Sequence, residues 1–561
     1  MRGPALALCA LIGCRDGGFA PEDASHDAGR DAAVDGPRGP SGLGRRCSDE
    51  RDLREVKAGC RGGQQCFTAG RGFRGGYCTQ SCLTAPCPDD GLCVSEGSVR
   101  YCLLRCDDDA ACRTDEGYVC APPAFGLPPA CIANPEPLGT RDGLACAPEA
   151  GRDAGVGDEA VSADRDDADT EANPQVRLHP GDRSALVAYL ARSPRGDFFG
   201  GLSRHDGTGW RHLAPLTDFE FNNVVDPSFV YFRDGALFAA WLGLTLDRPS
   251  PGLRFAVSDD RGAHFTEARS VAPEGRCAGG CDPPVVTLVE GTTERVMVAY
   301  LTRSTRRDAW VTVQSSDDRG ARFSAPVALA GVRPAPGDNT LTPTLVSVAS
   351  DAFGHVAVAW IDQRRDNPRA ALGDSQNTLR VALSNDRGDH FGAPESVAPP
   401  GPGVVGHRPA LAFSAGRLHA LWVEGLDDGR WALRLGTRSL SAPTAWALRA
   451  VTRGSEGCAT HGWPALALSA RGDRLAALWL DNRSGVGAAW LGACGLAPAS
   501  PCGEPERLSS RPFRLSTGAD PTRWHGTHAA LAIGADGTLF AAWSDTRNGG
   551  PAVQLARRPG W

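Results

Sequence analysis

Four histidines stand at or just before the starts of short apolar runs in the C-terminal part of this 561-residue chain: His407, His461, His525 and His528. Brought together, two or three imidazoles can bind a metal ion or a polar ligand. Loop histidines serve more often as hydrogen-bonding partners, so neither a metal site nor a cofactor is expected from them. Trp463 and Trp524 stand beside them, and Arg408 follows His407. Aromatic faces flanked by His and Arg are the usual equipment for holding a sugar ring, and a Trp at a strand start is as often packing. A second set, Trp-x-Asp-x-Arg, occurs three times, at Trp360/Asp362/Arg364, Trp479/Asp481/Arg483 and Trp543/Asp545/Arg547. Active sites are seldom threefold redundant, so each Asp and Arg is read as an exposed pair holding a loop.

The elements that must position these residues are marked by another pattern, Ser-x-Asp-x-Gly-x-x-Phe. It occurs at Ser258/Asp260/Gly262/Phe265, Ser316/Asp318/Gly320/Phe323 and Ser384/Asp386/Gly388/Phe391. These are Asp boxes. Each follows a strand-like run, so the Asp and Ser side chains can cap backbone N–H groups of a tight turn, Gly supplies a positive φ and Phe plugs the hairpin.

From residue 173 onward a unit of about 60 residues recurs, marked by an apolar strand ending in an aromatic: Tyr189, Trp241, Tyr300, Trp360, Trp422, Trp479 and Trp543. Ahead of each lies a strand usually opened by proline, at Pro174, Pro227, Pro284, Pro343, Pro409 and Pro464, with His528 in that slot in the last unit. A third strand, a turn and a short fourth strand follow, and the first unit keeps a worn box at Ser203/His205/Gly207/Trp210. Four short strands per unit at constant period predict an all-β protein, a β-propeller of seven blades with six as the alternative. Alternating patterns and Gly-rich turns exclude a helical solenoid. The last unit stops at its third strand, AVQLARR, so its fourth comes from upstream of Pro174 or is missing.

Residues 1–13 read as an export signal, with Arg2, an apolar stretch from Ala5 to Ile12, and Leu11-Ile12-Gly13-Cys14 resembling a bacterial lipobox. In such signals the Cys, here Cys14, becomes the acylated first residue. Arg15 after it favours an outer-membrane lipoprotein, periplasmic or surface-exposed, by resemblance to sorted lipoproteins. Residues 14–45, rich in Asp, Gly, Ala and Pro, read as a disordered tether. Residues 46–146 read as a small disulfide-rich domain. Of its thirteen cysteines, twelve parse into Cys47/Cys60/Cys66/Cys78, Cys82/Cys87/Cys93/Cys102 and Cys106/Cys112/Cys120/Cys131, with connectivity open. The segment has no histidine and lacks Cys-x2-Cys knuckles, which argues against zinc. Cys146 is left over, and the propeller has an odd five, Cys277, Cys281, Cys458, Cys494 and Cys502, so one bridge between the regions would even both counts. Residues 147–172 carry nine acidic residues against Arg152 and Arg165 and read as an extended, solvated linker before the propeller at 173–561. A net charge of −7, with Lys57 the one lysine among many arginines, gives no reason to expect nucleic acid.

The boxes, the period and the strand-end aromatics together resemble the sialidase and BNR-repeat superfamily. The run VAVAWIDQRRDNPRAALGDSQNTLRVALSNDRGDHF, residues 356–391, is similar to the stretch that holds the acid/base aspartate there. The resemblance implies Asp374 as acid/base, with Asp366 as a competing carboxylate, and Arg364 as a pocket arginine. The chain departs from the family elsewhere. The slot of the carboxylate-gripping arginine holds Leu341-Thr342 before Pro343, and Arg408-Pro409 comes one position out of register. The family's nucleophile is a tyrosine assisted by a glutamate. This propeller has three tyrosines, of which Tyr189 and Tyr300 take the buried repeat position and Tyr231 lies within an inner strand; Glu424 is the glutamate best placed by its loop.

The reading that follows is a lipid-anchored protein outside the cytoplasm whose propeller binds a glycan or protein ligand at its channel mouth without catalysis, through His407, Arg408, Glu424, His461, Trp463 and Trp524. The alternative is an exo-acting, sialidase-like glycoside hydrolase built on Asp374. A propeller serving only as a spacer predicts a mouth plugged by side chains. The oligomeric state is left open.

Overall fold

The computed structural model describes residues 41–45, 47, 60, 64–67, 77–82, 86–96, 99–114, 118–121, 128–133, 152–153, 158–161, 170–192, 198–205, 209–218, 223–244, 252–272, 277, 281–303, 309–332, 342–363, 377–397, 408–425, 431–441, 445–452, 461–481, 488–498, 500–510, 529–545 and 552–561. Seven antiparallel sheets follow one another from residue 170, each laid down strand beside strand. The innermost strands of the first four blades are Thr170–Leu178, Asn223–Tyr231, Val285–Val289 and Thr342–Ser350. Those of the last three are Ala410–Ser414, His461–Leu468 and Ala529–Ile533. This is a seven-bladed β-propeller.

The count of seven follows from packing. One sheet cannot bury both faces by itself, so each blade presses a face against its neighbour. The seven strand-end aromatics are all buried, and each belongs to a different apolar core. Trp241 fills the gap between the first and second blades, Trp422 that between the fourth and fifth, and Tyr189 that between the seventh and first. That last core closes the ring.

The outer strand of the seventh blade, beside Ala552–Arg558, comes from upstream of the first blade. Asp158–Ala160 supplies it antiparallel, and Val161 follows into the core between the seventh and first blades. Arg152–Asp153 adds a parallel fifth strand to the sixth blade beside Glu506–Arg507. The stretch 147–172, expected as a solvated spacer, is thus in part a clasp joining two blades. An outer edge with unpaired N–H and C=O groups offers more to a short polar strand than its self-repulsion takes away. Asp158 also accepts a hydrogen bond from Ser510 Oγ.

The inner edges facing the channel are satisfied differently. Gln175 Nε2 donates to Pro227 O, Arg177 Nε to Phe229 O, Ser350 Oγ to Leu288 O and Ser347 Oγ to Pro409 O, while Ser228 Oγ accepts from Val286 N. Side chains of the first, second and fourth blades therefore bond the backbone of an adjoining inner strand.

The Asp boxes lie at the opposite end from the starts of the inner strands. In the second box Ser316 Oγ donates to Asp318 Oδ1 and accepts from Gly320 N, and Arg322 N donates to the same Asp318 Oδ1. Gly262 N and Gly388 N donate to Ser258 Oγ and Ser384 Oγ in the same way, and His264 N and His390 N donate to Asp260 and Asp386. The capping expected of Ser and Asp is therefore present in all three boxes.

The glycines and phenylalanines of the boxes depart from expectation in two respects. Gly262, Gly320 and Gly388 take positive φ of 90°, 87° and 86°, but the arginine before each does so too, Arg261 at 65°, Arg319 at 58° and Arg387 at 64°, where glycine alone was expected. The left-handed arginine reaches the preceding blade: Arg319 pairs with Asp234 and Arg261 with Asp182, while Arg387 Nη2 donates to Thr293 O. The phenylalanines, expected to plug their own hairpins, are half-buried and serve the gap to the preceding blade. Phe265 packs against the core between the first and second blades, and Phe391 against that between the third and fourth. Phe323 meets Phe238 and Phe255 of the second blade, with ring centroids 6.4 and 5.1 Å away. The physical reason is area, since a two-strand turn offers an aromatic ring less apolar surface than a facing sheet does.

That close approach constrains the glycines as well. A methyl group on Gly320 would run into the Phe255 ring of the neighbouring blade, and one on Gly388 into the Met297 methyl. Gly320→Ala is expected to lower stability by about 2–4 kcal/mol, from left-handed strain and overpacking together, read by chemical unfolding.

In the N-terminal region the cysteines pair first with third and second with fourth inside each unit: Cys47–Cys66, Cys60–Cys78, Cys82–Cys93, Cys87–Cys102, Cys106–Cys120 and Cys112–Cys131. The third and fourth cysteines face each other across a hairpin, as Cys93 and Cys102 do between Gly91–Glu96 and Val99–Leu104. Each reaches back to an earlier cysteine instead of to its neighbour. Tyr77, Tyr101 and Tyr118 are buried among them, with Arg113 stacked 4.4 Å over the Tyr118 ring. In the propeller Cys277 bonds Cys281 and Cys494 bonds Cys502. Cys146 and Cys458, on which the expected bridge between the regions falls, lie outside the described residues.

Candidate functional site

A proline stands within the first five residues of, or just ahead of, six inner strands, doubled as Pro283-Pro284 in the third blade, and the residue before it, or before the doublet, changes from blade to blade. Among the described side chains that slot holds Asn173, Asp226, Asp282, Arg408 and Trp463. All five belong to one end of the ring, the channel mouth. Asn173, Asp226 and Trp463 adopt positive φ of 53°, 44° and 50°, each where the pairing with the next strand slips by a bulge. Bulges and left-handed non-glycine residues re-aim side chains and persist where packing over-determines them.

The polar members are tied together. Asn173 Nδ2 donates to Asp226 Oδ1, joining the first and second blades. Arg303, just after the second strand of the third blade, sits 2.9 Å from Asp282. The Cys277–Cys281 bridge ends one residue before Asp282, whose N–H donates to Leu301 O. Arg408, from the fifth blade, is drawn toward both Asp226 and Asp282, while its enclosure pushes its pKa down. Its Nε is sealed from solvent with no hydrogen-bond partner, and the guanidinium makes no ion pair at contact distance among the described residues. Two carboxylates held by partners and one arginine with hydrogen bonds to spare therefore converge on the mouth, a set that can grip a polar or anionic group.

The other expected site residues fall differently. Glu424 is buried and bonded at 2.6 Å by Arg434 on the neighbouring strand, so its charge is already met. Trp463 is only 7% exposed and packs into the core between the sixth and seventh blades, which leaves no ring face for a sugar. His461 opens the inner strand of the sixth blade opposite Asp481. Asp374, Arg364, Asp366, His407, Trp524, His525, His528 and Cys14 lie outside the described residues. In two of the Trp-x-Asp-x-Arg sets the aspartate accepts from the indole of its own set, while Arg364, Arg483 and Arg547 lie outside the described residues. Trp479 Nε1 donates to Asp481 at 2.6 Å and Trp360 Nε1 to Asp362 at 2.9 Å. Burial raises the Asp362 pKa, and the indole N–H two residues back is the nearest donor to answer it. In the second blade Asp218 serves Trp241 in the same way.

The three propeller tyrosines are accounted for. Tyr189 bonds Ser203 Oγ at 3.1 Å and Tyr300 donates to Gln314 at 2.5 Å, both buried between blades. Tyr231 ends the inner strand of the second blade, at the far end from the mouth, edge-on to His179 with ring centroids 5.3 Å apart. Burial raises its pKa, so the phenol stays protonated. None of these three described tyrosines stands at the mouth. Asn173, Asp226, Asp282 and Arg303 were missed from the sequence; the residue ahead of the repeat proline was the signal for Asn173 and Asp226, and the residue ahead of the Pro283-Pro284 pair for Asp282.

No family model matches the sequence, and no curated protein matches it. Among solved structures the chain is similar to an alpha-L-arabinanase of Penicillium chrysogenum, with 15% identity over 60% of this chain and 93% of that one and a TM-score of 0.40. It is also similar to an ulvan lyase of a polysaccharide lyase family, with 12% identity over 70% and 97% and a TM-score of 0.42. A Hadza microbial sialidase shows 16% identity over 57% and 65% and a TM-score of 0.36.

Proposed function

We propose that this chain is an exported, lipid-anchored protein whose propeller binds a glycan or protein ligand at the channel mouth without cleaving it. The observation that carries the reading is Arg408, a guanidinium within the field of Asp226 and Asp282 and with its donors uncommitted among the described residues, at a mouth where none of the three propeller tyrosines stands. Asp226 and Asp282 would accept from hydroxyl or amide donors of the ligand, and Arg408 would donate to its carbonyl, hydroxyl or carboxylate oxygens. Cys14 would carry the acyl anchor.

The test is an array of glycans and proteins probed with soluble protein beginning after Cys14. Arg408→Ala should weaken each hit about 10- to 100-fold, the loss expected for one charge-assisted contact, with an unchanged unfolding midpoint. Hits indifferent to Arg408→Ala, or silence across both arrays, would remove the mouth from consideration.

A further inference from the structure

Asp282 is held at the mouth differently from Asn173, Asp226 and Trp463. Those three lie inside their inner strands, within Thr170–Leu178, Asn223–Tyr231 and His461–Leu468. In the third blade the ladder begins only at Val285, opposite Ala299. Pro283 and Pro284 stand between Asp282 and that strand, and neither has an N–H to give to a ladder. Pairing is taken up again upstream of them, at Cys281 opposite Thr302, and Asp282 N donates to Leu301 O at 3.2 Å. Cys281 is fixed in turn by its bridge to Cys277, and both are buried in the apolar core between the second and third blades. The Asp282 carboxylate then meets Arg303, the residue after Thr302, at 2.9 Å. A disulfide and one isolated pairing thus do for Asp282 what a continuous strand does in the other blades. The loop this bridge closes is the shortest of the eight described, with a sequence separation of 4 against 8 to 19 in the others. So short a loop restricts the unfolded chain least, and the effect of the bridge is mainly local.

We propose that the Cys277–Cys281 bridge is a redox-sensitive positioning device for the mouth: closed, it holds Asp282 against Arg303, and opened by a dithiol it frees the pair and weakens ligand binding. The effect on binding rests on the reading of the mouth as the ligand surface. One thiolate of the dithiol attacks a bridge sulfur, so the S–S bond breaks and a mixed disulfide forms; its second thiolate then displaces the cysteine. Cys277 and Cys281 are left as two thiols and the reductant as a disulfide, with two electrons and two protons passed from the dithiol to the protein.

Amide hydrogen exchange of the soluble protein without ligand, read by mass spectrometry, tests the positioning. In the double variant Cys277→Ser/Cys281→Ser the peptides holding Asp282 and Arg303 should exchange at least about 10-fold faster, with Val285–Val289 unchanged. Equal exchange in the variant and wild type would overturn the proposal. Affinity for the array hits tests the redox sensitivity. The double variant should bind each hit about 5- to 10-fold more weakly than oxidised wild type, the cost of ordering two side chains on binding. Dithiothreitol should bring wild type to that same affinity and leave the double variant as it was. Full affinity in the double variant, or a further loss on reducing it, would overturn the proposal. Hits weakened by Arg408→Ala but not by the double variant remove this inference alone, whereas hits indifferent to Arg408→Ala remove the reading of the mouth. Should the double variant fail to fold, exchange of wild type before and after dithiothreitol decides, with alkylation of Cys277 and Cys281 read in the same samples: faster exchange once both are alkylated supports the device, and unchanged exchange refutes it.

Discussion

Trp479→Ala is expected to lower the unfolding free energy by about 4–7 kcal/mol, the largest single-residue effect in the propeller. Removing a fully buried indole costs about 3–5 kcal/mol in lost transfer energy and cavity. Here the gap opens between the fifth and sixth blades, among Leu421, Val423, Leu435, Val451 and Trp490. A further 1–3 kcal/mol or so comes from Asp481, fully buried, which loses the indole N–H at 2.6 Å. Trp479→Phe keeps most of the ring volume and should cost markedly less than Trp479→Ala. Denaturant unfolding of both variants checks this; equal losses would mean that the carboxylate, and not packing, dominates.

Stability should also fall by about 3 kcal/mol between pH 6.5 and pH 4, with His419 as the main cause. Its ring is fully buried in the fifth blade, with Nε2 at 2.6 Å from Ser414 Oγ and Nδ1 at 3.0 Å from Thr437 Oγ1. Burial first, then the charges of Arg449 and Arg417, hold its pKa down to about 4. An unfolded imidazole takes a proton near pH 6.5, so below that pH the unfolded state binds a proton that the folded state refuses. Stability is therefore complete above pH 6.5 and is lost progressively down to the folded pKa. Burial lowers the His179 pKa too, which adds a smaller loss of the same sign. The aspartates of the boxes titrate below this window, since Asp260 and Asp386 are held near 2. His419→Gln should flatten most of the slope; an unchanged slope would assign it elsewhere.

The scaffold was legible because every blade solves the same packing problem. A large aromatic at the end of the second strand fills each of seven gaps, so Tyr189 through Trp543 could be counted in the sequence, and the box residues could be placed on one kind of turn. What repeats is what packs. The reach of Phe265, Phe323 and Phe391 into the preceding blade was not legible, because a local pattern names the turn and not the sheet that lies across from it. The mouth was much less legible for the complementary reason: the residues ahead of the inner-strand prolines are Asn173, Asp226, Arg408 and Trp463, with Asp282 ahead of the Pro283-Pro284 pair, and unlike residues leave no period to detect. Arg408 was singled out from sequence, whereas Asp226 and Asp282 became meaningful only through Asn173 and Arg303, which come from another blade or another strand. In Trp-x-Asp-x-Arg the spacing drew attention to the Arg and not to the indole, which donates to the carboxylate in Asp362 and Asp481. The disulfide connectivity was illegible, since cross-strand neighbours such as Cys66 and Cys78 bond other partners. The acidic stretch hid two edge strands because composition reports repulsion and says nothing of an open sheet edge elsewhere.

Binding without cleavage is the claim on which the functional account turns, and one sample can test it. Soluble protein incubated with fluorogenic sialosides and other aryl glycosides, with binding of array hits measured in parallel, should show saturable binding that weakens in Arg408→Ala and no release of fluorophore. Turnover by the wild-type protein that disappears in Asp374→Ala would contradict the account and make the chain a glycosidase.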